Sequence, residues 1–356
     1  MYKKSGKYNV AIVGATGAVG QELIEILEER KFPVGELRLF SSERSVGSSV
    51  SFEGKSLVLR QLDGAAFTGI DLAFFCANEE VSKRFAPLAV SAGAVVIDDG
   101  NAFRMDPSVP LIVPEVNRLS MFNHRGIISI PNCSTTPLVM ALRPLHDAAQ
   151  VKRVVVTTFQ SVSGTGRRGM NELMEQVRAI LSFREIEPKV YPHQIAFNCL
   201  PHIGSFDPEG ESSEELKMRN ESRKILALPE LLLTATTVRV PVFRTHSESV
   251  NVELGRKLSA NEARALFSAV PGMIVFDEPT RDLYPTPIGV AGRDEVYVGR
   301  VREDPTLPAG LNFWLVSDNL RKGAALNSVQ IAEELILEPH GRGTSRTGPP
   351  SRSGLD

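Results

Sequence analysis

YNVAIVGATGAVGQELIEILEER, residues 8–30, decides the fold. YNVAIV is apolar and β-branched, long enough for a buried strand and too short for a helix. GATGAVG follows at 14–20, and QELIEILEER then repeats its apolar residues at helical spacing. A strand, a glycine-rich turn and an amphipathic helix in that order form the phosphate-binding corner of a dinucleotide fold. Gly14 permits the tight turn, Gly17 lets a pyrophosphate approach the backbone, and Gly20 lets the helix lie close on the strand. The free N–H groups at the helix start bind the phosphate.

Working outward, ELRLF (36–40), DLAFFC (71–76), AVVIDD (94–99) and GIISI (126–130) read as further strands, and VSKRFAPLAVSAG as a helix between two of them. Strands alternating with helices predict a doubly wound parallel sheet, a Rossmann-type α/β domain. After about residue 150 the pattern changes. VKRVVVTTFQSVSG, TATTVRVPVF, ESVNVEL, EVYVGRV and LNFWLVSD read as strands, and RRGMNELMEQVRAILSF and SSEELKMRNESRKILAL as helices. This is a second α+β domain around a mostly antiparallel sheet. The expected division is 1–133 for the dinucleotide domain, completed by a C-terminal helix over 322–338, and 134–321 for a catalytic and dimerisation domain. The Gly/Pro/Ser/Arg-rich segment 339–356 reads as a disordered tail.

Composition excludes several classes of function. The 356 residues suffice for roughly two domains. A net charge of −2 gives no reason to expect a nucleic acid or an anionic membrane as partner. Three distant cysteines, Cys76, Cys133 and Cys199, argue against a disulfide framework and for a reducing compartment. No Cys/His spacing suits a metal, no signal-like core opens the chain, and no run reaches membrane-spanning length. A soluble cytoplasmic protein is the expectation.

Two places carry chemistry. In PNCSTTPLVMALRPL, the strand GIISI hands over to a helix for which Ser134 and Thr135 are suitable caps and Pro137 suits the first turn. Cys133 therefore stands at a helix N-terminus, where the helix dipole lowers a thiol pKa. A nucleophile and a buried structural cysteine both fit that placement. The second place is SSERSVG after the second strand. Ser42, Arg44 and Ser45 supply hydroxyls and a guanidinium where an NAD-binding fold carries an acidic residue, which suits the 2′-phosphate of NADP.

Taken together, GATGAVG, SSERS, NAFRMDPSVPLIVPEVN, PNCSTTP, TTFQSVSGTG, IAFNCLP, EELK, VRVPVFRTHSES and SDNLRKGAALNS resemble the aspartate-semialdehyde dehydrogenase family over nearly the whole chain. The resemblance implies NADPH-dependent, metal-free reduction of aspartyl 4-phosphate to aspartate 4-semialdehyde with release of phosphate. That reaction feeds lysine, threonine, methionine and diaminopimelate synthesis. It implies Cys133 as the thioester-forming nucleophile, His246 as acid/base and Gln160 as the group orienting the intermediate. It implies Arg239 for the substrate carboxylate, Glu214 for its amino group, Arg104 and Lys217 for phosphate, and Asn132 as a further substrate contact. Gly14, Thr16, Gly17, Ala18, Val19, Ser42, Arg44, Ser45, Ser163, Gly164 and Asn319 match cofactor contacts. A homodimer or homotetramer is implied. Glu79 and Glu80 depart from the family pattern by bringing negative charge towards the cofactor loop. N-acetyl-γ-glutamyl-phosphate reductase is the nearest rival, but PNCST and EELK argue against it. A non-catalytic NADP-binding paralogue would be expected to lack Cys133, His246 or Arg239.

Overall fold

A computed structural model describes residues 6–337. The segment read as a disordered tail, 339–356, and the last residue of the expected C-terminal helix lie outside the described residues.

The first half alternates strands and helices as expected. Its elements are β1 (Tyr8–Val13), α1 (Ala18–Glu29), β2 (Val34–Ser41), β3 (Ser49–Phe52), β4 (Lys55–Val58), β5 (Arg60–Gln61), β6 (Leu72–Phe75), α2 (Glu79–Ser91), β7 (Val95–Asp98), α3 (Pro114–Asn117) and β8 (Ile127–Ser129). β3 and β4 form a small antiparallel hairpin. The other strands make a six-stranded sheet in the order β5-β2-β1-β6-β7-β8, parallel throughout. The order reverses between β1 and β6, so a crevice opens at the carboxyl ends of those two strands, where such sheets bind ligands. Gly14 takes φ +90° there, and a Cβ on it would meet the Cys76 carbonyl oxygen at 2.4 Å. Gly20 lets α1 seat against the turn, since a Cβ would lie 2.3 Å from the Gly14 carbonyl oxygen.

The second half comprises α4 (Thr135–Ala149), β9 (Val151–Gln160), α5 (Arg167–Leu181), α6 (Ser213–Leu226), β10 (Leu232–Arg239), β11 (His246–Leu254), α7 (Ala260–Ser268), β12 (Met273–Val275), α8 (Pro287–Val290), β13 (Val296–Glu303), β14 (Gly310–Ser317) and α9 (Leu326–Leu337). The sheet runs β10-β9-β11-β14-β13-β12. Its centre is antiparallel and its two edge pairings are parallel, so it is mixed rather than uniformly antiparallel. β10 is shorter than the run TATTVRVPVF and ends at Arg239; residues 240–245 turn the chain into β11. One sheet face packs on α4, α6 and α7 through Leu138, Leu142, Met218, Val250, Phe267 and Leu315.

Two features join the halves. α4 is buried all round over Thr135–Leu142, as expected of a helix that is apolar on every side. The C-terminal segment crosses back to the first sheet, where Leu326, Val329, Ile331 and Leu335 enter its core. It begins with a π-helical turn over Arg321–Ala325. Arg321 reaches Glu22 of α1 at 3.1 Å and Asp294 at 2.6 Å, while Arg244 pairs with the same Glu22 at 2.8 Å and with Asp318 at 2.5 Å. These ions fix the glycine-loop helix against the second half.

Gly20→Ala would press a methyl group into backbone that cannot yield, and is expected to cost about 1–3 kcal/mol as overpacking does. The midpoint of a denaturant titration measures the loss.

Candidate active site

The loop carrying Cys133 leaves the carboxyl end of β8, so it opens on the same edge of the sheet as the glycine loop. Neither Ser134 nor Thr135 caps α4 through its side chain; Ser134 occupies the cap position with no such bond. Asn132 does that work instead. Its Oδ1 accepts from Ser134 N at 2.9 Å, and its carbonyl accepts from Thr136 N at 3.1 Å. Cys133 is thus held at the helix tip, and Gly323 of the π-helical turn lies against it: a Cβ on Gly323 would be 2.8 Å from the Cys133 Cβ.

The second sheet delivers its groups at one end of four adjacent strands. Gln160 ends β9 and pairs in register with Arg239 at the end of β10. β11 runs the other way, so its first residue, His246, starts at that same end, opposite Ser317 of β14. Asn319 follows, its Oδ1 accepting from Ser161 Oγ, Ser163 Oγ and Thr245 N at 3.1, 2.9 and 2.9 Å.

Helix α6 closes the third side. A capping box between Ser212 and Glu215 starts it. Glu214 Oε1 accepts from Asn132 Nδ2 at 2.9 Å and from Gln160 Nε2 at 3.2 Å, while Oε2 takes Lys217 Nζ at 3.1 Å. Glu221, 1% exposed, accepts from the Asn132 backbone N–H at 2.7 Å and from Arg104 Nη1 at 3.1 Å. Arg104 Nη2 donates to the Asp99 carbonyl at 2.8 Å. Lys224 Nζ donates to the carbonyls of Arg104, Asp106 and Val109 at 2.7, 2.7 and 2.8 Å, which fastens the loop carrying Arg104 to the helix.

One cavity of about 360 Å³ is lined by Val19, Arg104, Asn132, Cys133, Gln160, Ser163, Gly164, Glu214, Lys217, Arg239, His246 and Asn319, together with Asp99, Asn101 and Gly323. Four buried polar atoms in its walls have no partner among the described residues: Arg104 Nε, Arg239 Nε, Gln160 Oε1 and His246 Nε2. Native interiors seldom leave such atoms unpaired, and a cluster of them around one thiol marks a place for a polar ligand. Glu214 is held below the usual carboxylate range, because Lys217 and the hydrogen bonds from Asn132 and Gln160 outweigh its burial.

The thiol behaves differently from the sequence-based expectation. Burial pushes Cys133 up to about 12, with the charges of Glu214 and Asp99 adding to it and those of Arg104 and Arg239 opposing. The helix-tip argument counts one favourable dipole and leaves out desolvation and two carboxylates. Burial, then Arg239, brings His246 down to about 3. The resting pair is therefore a thiol and a neutral imidazole.

A second cavity lies at the crevice between β1 and β6, lined by Gly14, Thr16, Gly17, Ser42, Glu43, Arg44, Gln61, Cys76, Asn78 and Arg84. The start of α1 has no side-chain cap and no acidic residue in its first turn, so its N–H groups are free for an anion. A dinucleotide fits this chemistry, phosphates on the helix tip and a further phosphate near Arg44. Ala18 and Ser45 line neither this cavity nor the first, and Glu43 faces the second. Glu79 pairs with Lys83 at 2.6 Å in the first turn of α2, and neither it nor Glu80 lines the cavity. Asp99, Asn101, Glu221 and Arg84 are the residues that sequence reasoning missed. The spacing of Glu214, Lys217, Glu221 and Lys224 along one face of α6 was the available signal for Glu221.

Residues 9–124 match the family model described as semialdehyde dehydrogenase, NAD binding domain, and residues 142–322 match semialdehyde dehydrogenase, dimerisation domain. A curated relative, aspartate-semialdehyde dehydrogenase of Aquifex aeolicus, is 50% identical over 336 residues, covering 93% of this chain and 98% of its own. The crystal structure of aspartate semialdehyde dehydrogenase II from Vibrio cholerae complexed with ASA superposes with a TM-score of 0.89 at 43% identity, covering 92% of this chain and 98% of that one. The Candida albicans aspartate semialdehyde dehydrogenase with NADP gives 0.72 at 25% identity, covering 92% and 98%. The fold and cavities are those of a nicotinamide-dependent oxidoreductase. More narrowly, the chain belongs to the aspartate-semialdehyde dehydrogenase family.

Glu221→Ala would strip the partner from a buried arginine and is expected to cost about 3–5 kcal/mol, read from denaturant midpoints. In the substrate-free protein, alkylation of Cys133 is expected to be still accelerating at pH 10, as a thiol near 12 requires. A plateau below pH 8 would contradict that environment.

Proposed function

We propose that this protein catalyses the reversible, NADPH-dependent reductive dephosphorylation of L-aspartyl 4-phosphate to L-aspartate 4-semialdehyde. It thereby serves lysine, threonine, methionine and diaminopimelate synthesis in the cytoplasm. The observation that carries the reading is the ring of unpartnered polar atoms around Cys133, whose types match one substrate. Arg239, with Nε unused while Nη1 holds the Ser161 carbonyl at 2.6 Å, takes the α-carboxylate in its planar fork. Glu214, charged and buried, takes the α-ammonium. Arg104 and Lys217 take the phosphate, Gln160 and Asn132 orient the acyl group, and Cys133 is the nucleophile.

Displacement of phosphate by the Cys133 sulfur stores the acyl group as a thioester. NADPH, when bound, supplies the hydride. Arg104 stabilises the departing phosphate where its charge develops. Ser163, Gly164, Asn319 and Val19 line the reaction cavity on the cofactor side, and Thr16, Gly17, Ser42 and Arg44 hold the phosphates. Arg44 supports NADP over NAD, since a guanidinium answers a 2′-phosphate. The open face of the second sheet, with Leu232 61% exposed and the Phe159 ring tilted against Trp314 at 5.4 Å between centroids, is where a second copy packs to form a homodimer. A dinucleotide domain over 1–133 with the C-terminal helix, and a catalytic and dimerisation domain over 134–321, is the corresponding division of labour.

Purified protein is expected to reduce NADP in the presence of aspartate semialdehyde and phosphate. Cys133→Ala should abolish that turnover and leave NADP binding within about twofold. Near-normal turnover in this variant would end the nucleophile assignment. Arg44→Ala should raise KM for NADPH by about 10–100-fold and leave KM for NADH nearly unchanged, the loss expected for a charged hydrogen bond.

A further inference from the structure

Asp99 brings a further carboxyl group to the Arg104 side of the Cys133 cavity. It follows β7, and its side chain, 17% exposed, lines the cavity with Asn101, Arg104 and Lys217. Its carboxyl oxygens accept no hydrogen bond among the described residues, and Oδ1 stands 3.9 Å from Arg104 Nη2. That nitrogen donates to the Asp99 carbonyl at 2.8 Å instead, and Nη1 is taken by Glu221 at 3.1 Å. Arg104 Nε has no partner, although the residue is buried. A buried guanidinium with an unused donor at a cavity wall is suited to an anion. The Asp99 carboxyl group lies on the same wall.

The fixed charges do not favour a dianion there. Lys217 pairs with Glu214 and Arg104 with Glu221, so both cations are already matched and an ionised Asp99 would make the pocket negative. Burial pushes Asp99 up to about 7, Asp98 and Glu221 adding to the rise and Arg104 opposing it. Asp98 is fully buried behind it, accepts from Ser82 Oγ at 2.7 Å and keeps Oδ2 unpartnered. The other titratable groups around Asp99 are the Cys76 and Cys133 thiols, both pushed upward by burial. Across the cavity Glu214 is held low and His246 is brought down to about 3.

We propose that the phosphate subsite takes its anion together with a proton on Asp99, whose carboxyl O–H then donates to an oxygen of the anion held by Arg104 and Lys217. The proposal rests on the reading of Arg104 and Lys217 as the phosphate pair. The proton comes from solvent and returns there when the anion leaves. Protonation removes one negative charge from the pocket and turns a lone pair facing the anion into a donor. A carboxyl group raised to about 7 is protonated below that pH and ionised above it. An anion that needs the protonated form therefore loses affinity as the pH rises through 7, by about tenfold per unit. Asparagine at this position would keep a donor and lose the titration.

Sulfate is the probe, because it stays a dianion between pH 6 and 9, and saturating NADP keeps it off the glycine loop and Arg44. Titration calorimetry of the NADP-bound protein at pH 8, in two buffers of different ionisation enthalpy, counts the protons taken up. About 0.5–1 proton per sulfate is expected in the wild type and about none in Asp99→Asn. The sulfate Kd should rise about tenfold per pH unit above 7.5 in the wild type, and less than about threefold over the whole range in Asp99→Asn. Lys217→Ala should weaken sulfate by about tenfold or more; unchanged binding would put the ion elsewhere and overturn the proposal. So would no proton uptake, a flat Kd, or no sulfate binding at pH 6 in the wild type. Uptake that persists in Asp99→Asn would move the proton to another group, Asp98 first, and overturn it as well. The wild-type measurements stand if a variant fails to fold. Failure to reduce NADP with aspartate semialdehyde and phosphate would defeat the proposed function, whereas sulfate binding is read without turnover, so the two failures are distinguishable.

Discussion

Two carboxylates of α6 gripping a single residue of the other half underlie the rest of the structure. Glu214 takes the Asn132 side-chain amide and Glu221 takes its backbone N–H. Asn132 immediately precedes Cys133 and caps the helix that follows. The first sheet alone would present Cys133 at the end of an edge strand, near a dinucleotide but with nothing to hold a substrate. Because the carboxylates come from the second half, they draw that strand end into the mouth of the other sheet. Burial makes the grip costly to break: a buried carboxylate without its donors is far less stable than one fully paired. The same two residues set the charge of the site, Glu214 paired with Lys217 and Glu221 with Arg104.

Placing the thiol there has a chemical cost that the charges do not remove. Arg104 and Arg239 face it, yet burial and the carboxylates keep it protonated in the empty protein. The site is built for a substrate that brings its own charges. On the proposed reading, a carboxylate on Arg239, an ammonium beside Glu214 and a phosphate on Arg104 join a network in which Glu214 already pairs with Lys217 and Arg104 with Glu221.

Much of the fold was legible because parallel strands are buried on both faces and read as apolar runs. β1, β6, β7 and β8 each sit within one or two residues of where those runs place them. The hairpin of β3 and β4 was not read, since Ser49–Phe52 and Lys55–Val58 are mostly exposed and carry little apolar periodicity. The parallel edge strand β12 is three residues long, too short for a pattern. The π-helical turn left no signal either, because Arg321 and Lys322 look like surface residues until Glu22, Glu115 and Asp294 surround them. In the site, Cys133, His246 and Arg239 lie in distinctive local motifs. Glu221 and Asp99 do not: Glu221 meets Arg104 and Asn132 from 117 and 89 residues away, and Asp99 meets Arg104 through its backbone carbonyl, which leaves no mark on the residue type. The thiol was misjudged for a related reason. A helix tip is a local property, whereas desolvation is set by everything folded around it.

The C-terminal segment packs against Cys133 through Gly323 and supplies part of the core of the first sheet. The order in which a ribosome releases the chain therefore matters. When the Cys133 loop emerges, both the wall beside it and the helix that seals its own sheet are still unmade, nearly two hundred residues away. A nascent chain can build the strands of the first sheet early, yet it holds an open, unsealed half-domain until residues 321–337 have emerged. Chains that stop short of residue 321 thus leave the apolar face of the first sheet uncovered and the wall beside Cys133 unbuilt.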